Sequence, residues 1–270
     1  MSEPARSLFV VGAPRSGTSV LFKTLSAHPA FACTTQLTRR FRAHWWLVRV
    51  AELTGKRHRA VEAGELWKSF WPNAKVERTE ADLTEEHVRK LRNIVDGHCR
   101  HFRRPVFLAK RPDFSIRIRW LAAGLPEAKF VHIVRDGRAV ARSILEQLRR
   151  GPKRRWAMIG RNLWPELLTM EEAAYSGAIW SRTTTICARA LATLDPSRVE
   201  TIRYEDFVAD PVPVLSRITS LVDVEWSDEH ANLLPKLDNR NPKWREMLTE
   251  EEQAAVLSEA EGGLREYGYL

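Results

Sequence analysis

The stretch that decides the fold is Leu8-Phe-Val-Val-Gly-Ala-Pro-Arg-Ser-Gly-Thr-Ser-Val-Leu-Phe-Lys23. Its apolar start predicts a buried strand, its glycines and proline predict a tight turn, and the remainder predicts the first turns of a helix. Such a turn points successive backbone N–H groups at an anion, and the helix adds the positive end of its dipole. The stretch therefore predicts a phosphate-binding loop close to the N-terminus.

This loop departs from a Walker-type loop at one position. Gly12 and Gly17 have the Walker spacing and Ser19 occupies the hydroxyl position, but Thr18 stands where the lysine belongs. A cation is present three residues earlier instead, as Arg15. We therefore expect a site for a phosphate-like group that is not an ordinary ATP or GTP site.

The remaining apolar runs predict an α/β protein. Short β-branched or aromatic runs predict strands at Leu8–Val11, Val106–Ala109, Phe130–Val134 and Val199–Ile202, most of them followed by a helical pattern. That alternation is typical of a mostly parallel sheet flanked by helices. Together with the loop, it predicts a P-loop-type α/β fold in a single domain over residues 1–270.

Two blocks interrupt the alternation and are interpreted as helical insertions at about 39–100 and 151–194. The first block carries Trp45, Trp46, Trp67 and Trp71 as apolar anchors. The second block carries Trp156, Trp164 and Trp180. Core packing is the usual role of such side chains, and lining an acceptor pocket is the alternative.

The bulk properties predict a soluble cytoplasmic protein. No apolar run approaches the roughly 20 residues that cross a bilayer, and no signal peptide precedes the first strand. The three cysteines are widely spaced and suggest neither a disulfide framework nor a zinc site, so we expect no metal. The formal net charge of +9 favours an anionic ligand, although solvated arginine-rich faces are also common.

A second phosphate site is predicted where the strand Phe130–Val134 ends. Arg135 follows the strand directly, at the edge where open α/β sheets bind ligands. Ser143 lies eight residues later, about two turns into the next helix. An arginine fork and a hydroxyl suit a phosphate monoester, although Arg135-Asp-Gly137 read alone is an ordinary strand-to-helix turn.

The two sites together resemble those of the family of sulfotransferases that use 3′-phosphoadenosine 5′-phosphosulfate (PAPS). The resemblance rests on Pro14-Arg-Ser-Gly-Thr-Ser19 and on Val134-Arg-Asp-Gly-Arg138 with Ser143. It implies a sulfotransferase that moves a sulfuryl group from PAPS to a hydroxyl or amine and releases 3′-phosphoadenosine 5′-phosphate (PAP). It further implies that the 5′-phosphosulfate is held by Arg15, Ser16, Gly17, Thr18 and Ser19, and the 3′-phosphate by Arg135 and Ser143.

Three further segments resemble that family. Tyr204-Glu-Asp206 resembles a segment whose tyrosine lies near the adenine, and Arg240-Asn-Pro-Lys-Trp-Arg245 with Glu266-Tyr-Gly-Tyr269 resembles the closing segment of bacterial and tyrosylprotein-type members. The resemblance thus adds Tyr204, Arg240, Lys243 and Trp244 as cofactor contacts, with Trp244 as the adenine-stacking candidate. The arginine at position 15 and the valine at position 20 set the chain apart from the cytosolic animal branch.

The catalytic roles are only partly readable. Arg15 is expected to stabilise the leaving oxygen. Asp113 is the first candidate for the general base, with a helix N-cap as its ordinary role, and His44 is the second, with a surface or packed histidine as the ordinary role. Lys110 is expected either to contact the sulfate or to form an ion pair at the edge of the sheet.

Two other functions are consistent with parts of the sequence. A P-loop kinase for a small molecule would share the loop but lacks its lysine, and a basic non-catalytic module would bind RNA or another polyanion through its arginines. Our expected partner is a small-molecule acceptor, aromatic or apolar if the tryptophans line its pocket, and not a nucleic acid.

Overall fold

The structure is a computed structural model that describes residues 4–41, 44–53, 59–71, 77–151, 164–235, 237–239 and 241–270. Five parallel strands form one sheet: β1 (Arg6–Val11), β2 (Phe31–Cys33), β3 (Val106–Lys110), β4 (Lys129–Val134) and β5 (Val199–Arg203). Their order across the sheet is β2-β3-β1-β4-β5, and every neighbouring pair is parallel. The predicted α/β class and mostly parallel sheet are therefore confirmed.

Helices cover both faces of this sheet. The described helices are α1 (Thr18–Ala27), α2 (Gln36–Arg40), α3 (Trp45–Leu53), α4 (Gly64–Lys68), α5 (Glu85–Phe102), α6 (Ile118–Gly124), α7 (Gly137–Arg149), α8 (Glu172–Leu191), α9 (Tyr204–Ala209), α10 (Pro211–Ser220), α11 (Lys243–Met247) and α12 (Glu250–Glu266). Within the described ranges, no helix is both long and apolar enough to cross a bilayer.

Alternation along the central strand divides the core in two. Phe9 and Val11 of β1 pack into the core that includes α5 and α6, whereas Leu8 and Val10 pack into the core that includes α1 and α10. Successive side chains of a strand point to opposite faces, so a strand covered on both sides is mostly apolar. This requirement explains why the central strands are recognisable in the sequence.

Within the described residues, the two blocks predicted as helical insertions do not consist of helices alone. The first block is not helical throughout, because Thr35 and Ala60 form an antiparallel bridge that closes the excursion carrying α2 and α3. Trp67 is fully buried there, but Trp46 is 66% exposed and is not part of the core formed by the described residues. In the second block α8 buries Trp180, whereas Trp156 lies outside the described residues.

The topology gathers the carboxyl ends of adjacent strands at one edge. The predicted phosphate-binding loop follows β1, Lys110 ends β3, Arg135 follows β4 and Tyr204 follows β5. Because β3 and β4 are the two neighbours of β1 in the sheet, these residues flank the loop on both sides. Open parallel sheets bind ligands at this edge, so the fold places the candidate site here.

A buried histidine in β4 makes the fold sensitive to acid. Burial lowers the pKa of His132 to about 4, and its Nε2 has no hydrogen-bond partner among the described residues. In the unfolded chain the histidine becomes protonated as the pH falls below about 6.5, whereas in the folded chain it stays neutral until about pH 4. The free energy of unfolding therefore falls as the pH drops from 6.5 towards 4. We expect a loss of about 2.5 kcal/mol at pH 4.5 from this group.

Urea unfolding of wild type and His132→Val at pH 7 and pH 4.5 measures this loss. Valine has a β-branched, apolar side chain that suits a buried strand position, and the variant should lose less stability between the two pH values than the wild type does. Equal losses in the two proteins would assign the acid sensitivity to other groups.

Candidate active site

The loop between β1 and α1 has the geometry of a phosphate cradle. Ser115 ties down its start, because the Ser115 hydroxyl accepts from the Gly12 N–H and donates to the Gly12 carbonyl, both at 2.8 Å. The loop ends at Gly17, whose φ of 99° is unfavourable for other residues and whose added Cβ would lie 2.4 Å from the Tyr204 ring. The helix that begins at Thr18 therefore points its N-terminus into the space beside the loop.

Hydrogen bonds join the loop directly to the second predicted site. The Arg15 Nε donates to the Ser143 hydroxyl at 3.0 Å, and the Arg135 Nη1 donates to the Arg15 carbonyl at 3.2 Å. Arg15 has a φ of 69°, a left-handed conformation that is uncommon outside glycine. The structure thus brings together the two motifs that the sequence separates by about 120 residues.

Arg135 is a buried cation with one donor nitrogen that has no hydrogen-bond partner within the described residues. Its guanidinium lies 4.3 Å from the centre of the Tyr204 ring, and its Nε donates to the Asn241 amide oxygen at 2.7 Å. Its Nη2 is buried and has no hydrogen-bond partner within the described residues. Desolvation by burial lowers the Arg135 pKa, and the nearby charge of Glu205 opposes that effect. A phosphate at this point would supply both the acceptor and the counter-charge.

Arg15, Ser143, Arg135 and Tyr204 line one cleft of about 620 Å³, a volume within the usual range for small-molecule sites. The carboxylates on its walls are those of Glu62, Glu146 and Asp238. Its cations outnumber them and are Arg15, Lys110, Arg135, Arg142 and Arg150. The cleft is therefore suited to an anionic ligand that needs several donors.

A lysine–carboxylate pair forms the wall on the β3 side. The Lys110 Nζ donates to the Glu62 carboxylate at 2.6 Å and to the Ser19 hydroxyl at 3.1 Å. The Lys110 side chain is 4% exposed and that of Glu62 is 43% exposed. Burial lowers the Lys110 pKa, and the charge of Glu62 opposes that effect. One cation thus contacts both the loop and a carboxylate that solvent can reach.

Neither predicted general base lines this cleft. The carboxylate of Asp113 accepts from Arg111 Nε at 2.7 Å and pairs with Arg117 at 3.1 Å, so two guanidinium groups occupy it. Arg111, not Asp113, is the N-cap of the 3-10 turn Pro112–Ile116. His44 is exposed at the start of α3, where its Nδ1 lies 2.7 Å from the Phe41 carbonyl.

The described residues of the closing segment that were predicted to contact the cofactor do not line the cleft. Trp244 is packed against α7 and α12, with the guanidinium of Arg138 4.5 Å from its ring, and it does not line the cleft. Lys243 is exposed beside it and is likewise absent from the lining. Arg240 lies outside the described residues. The predicted adenine-stacking role of Trp244 therefore finds no support in this geometry.

Glu62 and Asn241 are candidate functional-site residues that were not predicted individually. Glu62 reaches the cleft because the Thr35–Ala60 bridge returns the chain there, a contact that no local pattern indicates. Asn241 holds Arg135 from a segment 106 residues further along the chain. Its place inside the resembling segment Arg240–Arg245 was the one available signal.

A parallel sheet with a glycine-containing loop between its first strand and the following helix is the arrangement of a P-loop-type α/β protein. Within that class, the chain belongs to the sulfotransferase family, because the model of that family matches residues 7–228. The predicted family resemblance is confirmed.

Individual proteins are similar to this chain in sequence, and solved structures share its fold. Protein-tyrosine sulfotransferase 2 of Gallus gallus is 22% identical over 238 residues, which cover 85% of this chain and 55% of the relative. This chain thus spans little more than half of that protein. Among solved structures, a sulfotransferase of Mycobacterium tuberculosis is 17% identical with a TM-score of 0.57, covering 96% of this chain and 77% of its own. The sulfotransferase domain of the Synechococcus olefin synthase is 20% identical with a TM-score of 0.55, covering 97% and 95%.

Proposed function

We propose that the protein transfers a sulfuryl group from PAPS to a hydroxyl or amine of a small-molecule acceptor and releases PAP. The observation that carries the proposal is the direct link between the two phosphate-binding motifs through Arg15, Ser143 and Arg135. A kinase would need a lysine at position 18, and a polyanion-binding module would need no such enclosed pair of sites. Membership of the sulfotransferase family favours the transferase over both alternatives.

The residues on the two sides of the loop fit the two ends of this nucleotide. The N-terminus of α1, with the hydroxyls of Thr18 and Ser19, would hold the 5′ end. The buried Ser16 hydroxyl has no hydrogen-bond partner among the described residues, which supports an anion beside the loop. Arg135 Nη2 and the Ser143 hydroxyl would hold the 3′-phosphate, with Tyr204 lining the same wall.

The chemistry proposed for the remaining residues is positional and electrostatic. When bound, PAPS supplies the sulfuryl group, which moves in line from the phosphate oxygen to the acceptor oxygen or nitrogen. Lys110 and Arg15 would stabilise the charge that develops on the departing oxygen. Glu62 would take the acceptor's proton and pass it to solvent, because its carboxylate faces the cleft and is partly exposed. Glu62 thereby replaces Asp113 and His44 as the proposed base.

The residues that line the cleft define the acceptor less closely than they define the donor. No tryptophan of the described residues lines the cleft, so the tryptophan-based argument for an aromatic acceptor has no support from the lining. The acceptor we propose is a small molecule, without a further restriction on its ring content. We further propose a cytoplasmic location, which the buried, unpaired thiols of Cys33, Cys99 and Cys187 favour because such thiols persist in reducing compartments.

Nucleotide-dependent melting tests the donor assignment. We expect PAP to raise the melting temperature strongly and ATP with Mg²⁺ to raise it weakly, because only PAP presents an anion to both motifs. Differential scanning fluorimetry with equal nucleotide concentrations measures the two shifts. Equal shifts would contradict the donor assignment. Transfer of label from sulfur-labelled PAPS to a panel of phenols, alcohols and amines then tests the reaction itself.

A further inference from the structure

Glu205 gathers hydrogen bonds from three separate segments around the second phosphate site. Its Oε1 accepts from the Asp136 N–H at 3.2 Å and from the Asn241 side-chain amide, and its Oε2 accepts from the Tyr269 hydroxyl at 2.9 Å. Those donors come from the start of α7, from the segment before α11 and from the C-terminus. Glu205 does not line the cleft, and no step proposed above uses it.

The carboxylate decides which way the Asn241 amide points. A carboxylate accepts hydrogen bonds and donates none, so Asn241 must turn its Nδ2 towards Glu205. Its Oδ1 is then directed at Arg135, where it accepts from the Nε at 2.7 Å. With the opposite amide orientation, an N–H₂ group would face a guanidinium, and neither group could accept from the other.

The position of the Arg135 fork depends on this bond. Its Nε is held by Asn241 and its Nη1 by the Arg15 carbonyl, which leaves Nη2 as the buried donor without a partner among the described residues. Two fixed donors of a planar guanidinium fix the direction of the third. The relay from Glu205 through Asn241 therefore determines where Arg135 can receive an anion.

We propose that Glu205 is a positioning residue for recognition of the 3′-phosphate, acting through Asn241 on Arg135. This inference rests on the proposed function, since it takes the anion at Arg135 to be the 3′-phosphate of PAPS or PAP. Its consequence concerns selectivity. Glu205 raises the preference for nucleotides that carry a 3′-phosphate and leaves the contacts of the 5′ end unchanged.

The ratio of the dissociation constants for AMP and PAP measures this preference, because AMP lacks only the 3′-phosphate. Glu205→Ala should weaken PAP binding by about tenfold, as expected for loss of a hydrogen bond that orients a charged group, and should leave AMP binding within about twofold. Asp206→Ala removes the same charge from an exposed position of the same helix and should change neither constant. Calorimetric titration of the full chain gives all the values.

A double variant separates the relay from a general loosening of the fold. Because Glu205 acts through Asn241, Glu205→Ala combined with Asn241→Ala should bind PAP no more weakly than Asn241→Ala alone. An unchanged ratio of the two dissociation constants in Glu205→Ala, whether both constants rise equally or neither changes, would overturn the inference. If Glu205→Ala fails to fold, a tenfold lower ratio in Asn241→Ala supports the relay and an unchanged ratio overturns it. A wild type that does not prefer PAP to AMP would instead overturn the proposed function.

Discussion

Replacing Lys110 by methionine is expected to lower turnover by about a hundredfold or more while PAP binding stays within a few-fold of wild type. The side chain is buried at the end of β3, and its Nζ contacts both the loop hydroxyl of Ser19 and the Glu62 carboxylate. A cation so placed is worth most where charge develops during transfer, since the surrounding burial limits screening by water. Methionine keeps the length and apolar stem of lysine, which limits the packing change.

Steady-state kinetics with the best acceptor from the labelled-PAPS screen, together with PAP titration, give the two quantities. Lys129→Met is the matched control, because Lys129 lies at the start of β4, at the opposite edge of the sheet from the cleft, and donates to the Ser197 carbonyl. The control should retain wild-type turnover. Turnover of Lys110→Met within a few-fold of wild type would reduce Lys110 to a structural ion pair with Glu62.

The central part of the fold was predictable because its signals are local. Strands such as β1 and β4 are apolar on both faces, and each is followed within a few residues by a helix start. β2 was not predicted, because it is three residues long and lies at the edge of the sheet. A run so short has no period that distinguishes it from a loop.

The residues of the candidate site also fall into those with a local sequence signal and those without one. The contribution of Gly17 and of Arg135 is encoded where a strand ends and a helix begins, so the residue order alone indicates both phosphate-binding motifs. Glu62 and Asn241 reach the site only through tertiary contacts of distant segments. Asp113 was the more attractive base in the sequence because position after a strand was the available criterion, and the sequence could not show that Arg111 and Arg117 bind its carboxylate.

If Glu62 is the base, Glu62→Gln should lower turnover strongly. Glutamine can still accept a hydrogen bond from Lys110 but cannot take the acceptor's proton, so we expect turnover to fall by about a hundredfold or more with an alcohol acceptor. PAP affinity should be unchanged, because the residues proposed to bind the nucleotide are intact. Turnover numbers for wild type and variant, measured at saturating PAPS across a series of acceptors, quantify the loss.

The dependence of this loss on the acceptor distinguishes proton transfer from mere support of Lys110. A phenol that is already ionised at the assay pH has no proton to give, so Glu62→Gln should transfer sulfate to it nearly as fast as wild type does. A carboxylate that only held Lys110 in place would be equally necessary for both acceptors, and an equal loss would therefore refute the base assignment. Glu146→Gln removes another carboxylate from the cleft wall, beside Arg142 rather than Lys110, and should leave both rates unchanged. Comparing the two acceptors thus separates proton transfer by Glu62 from its electrostatic support of Lys110, which a rate with one acceptor could not do.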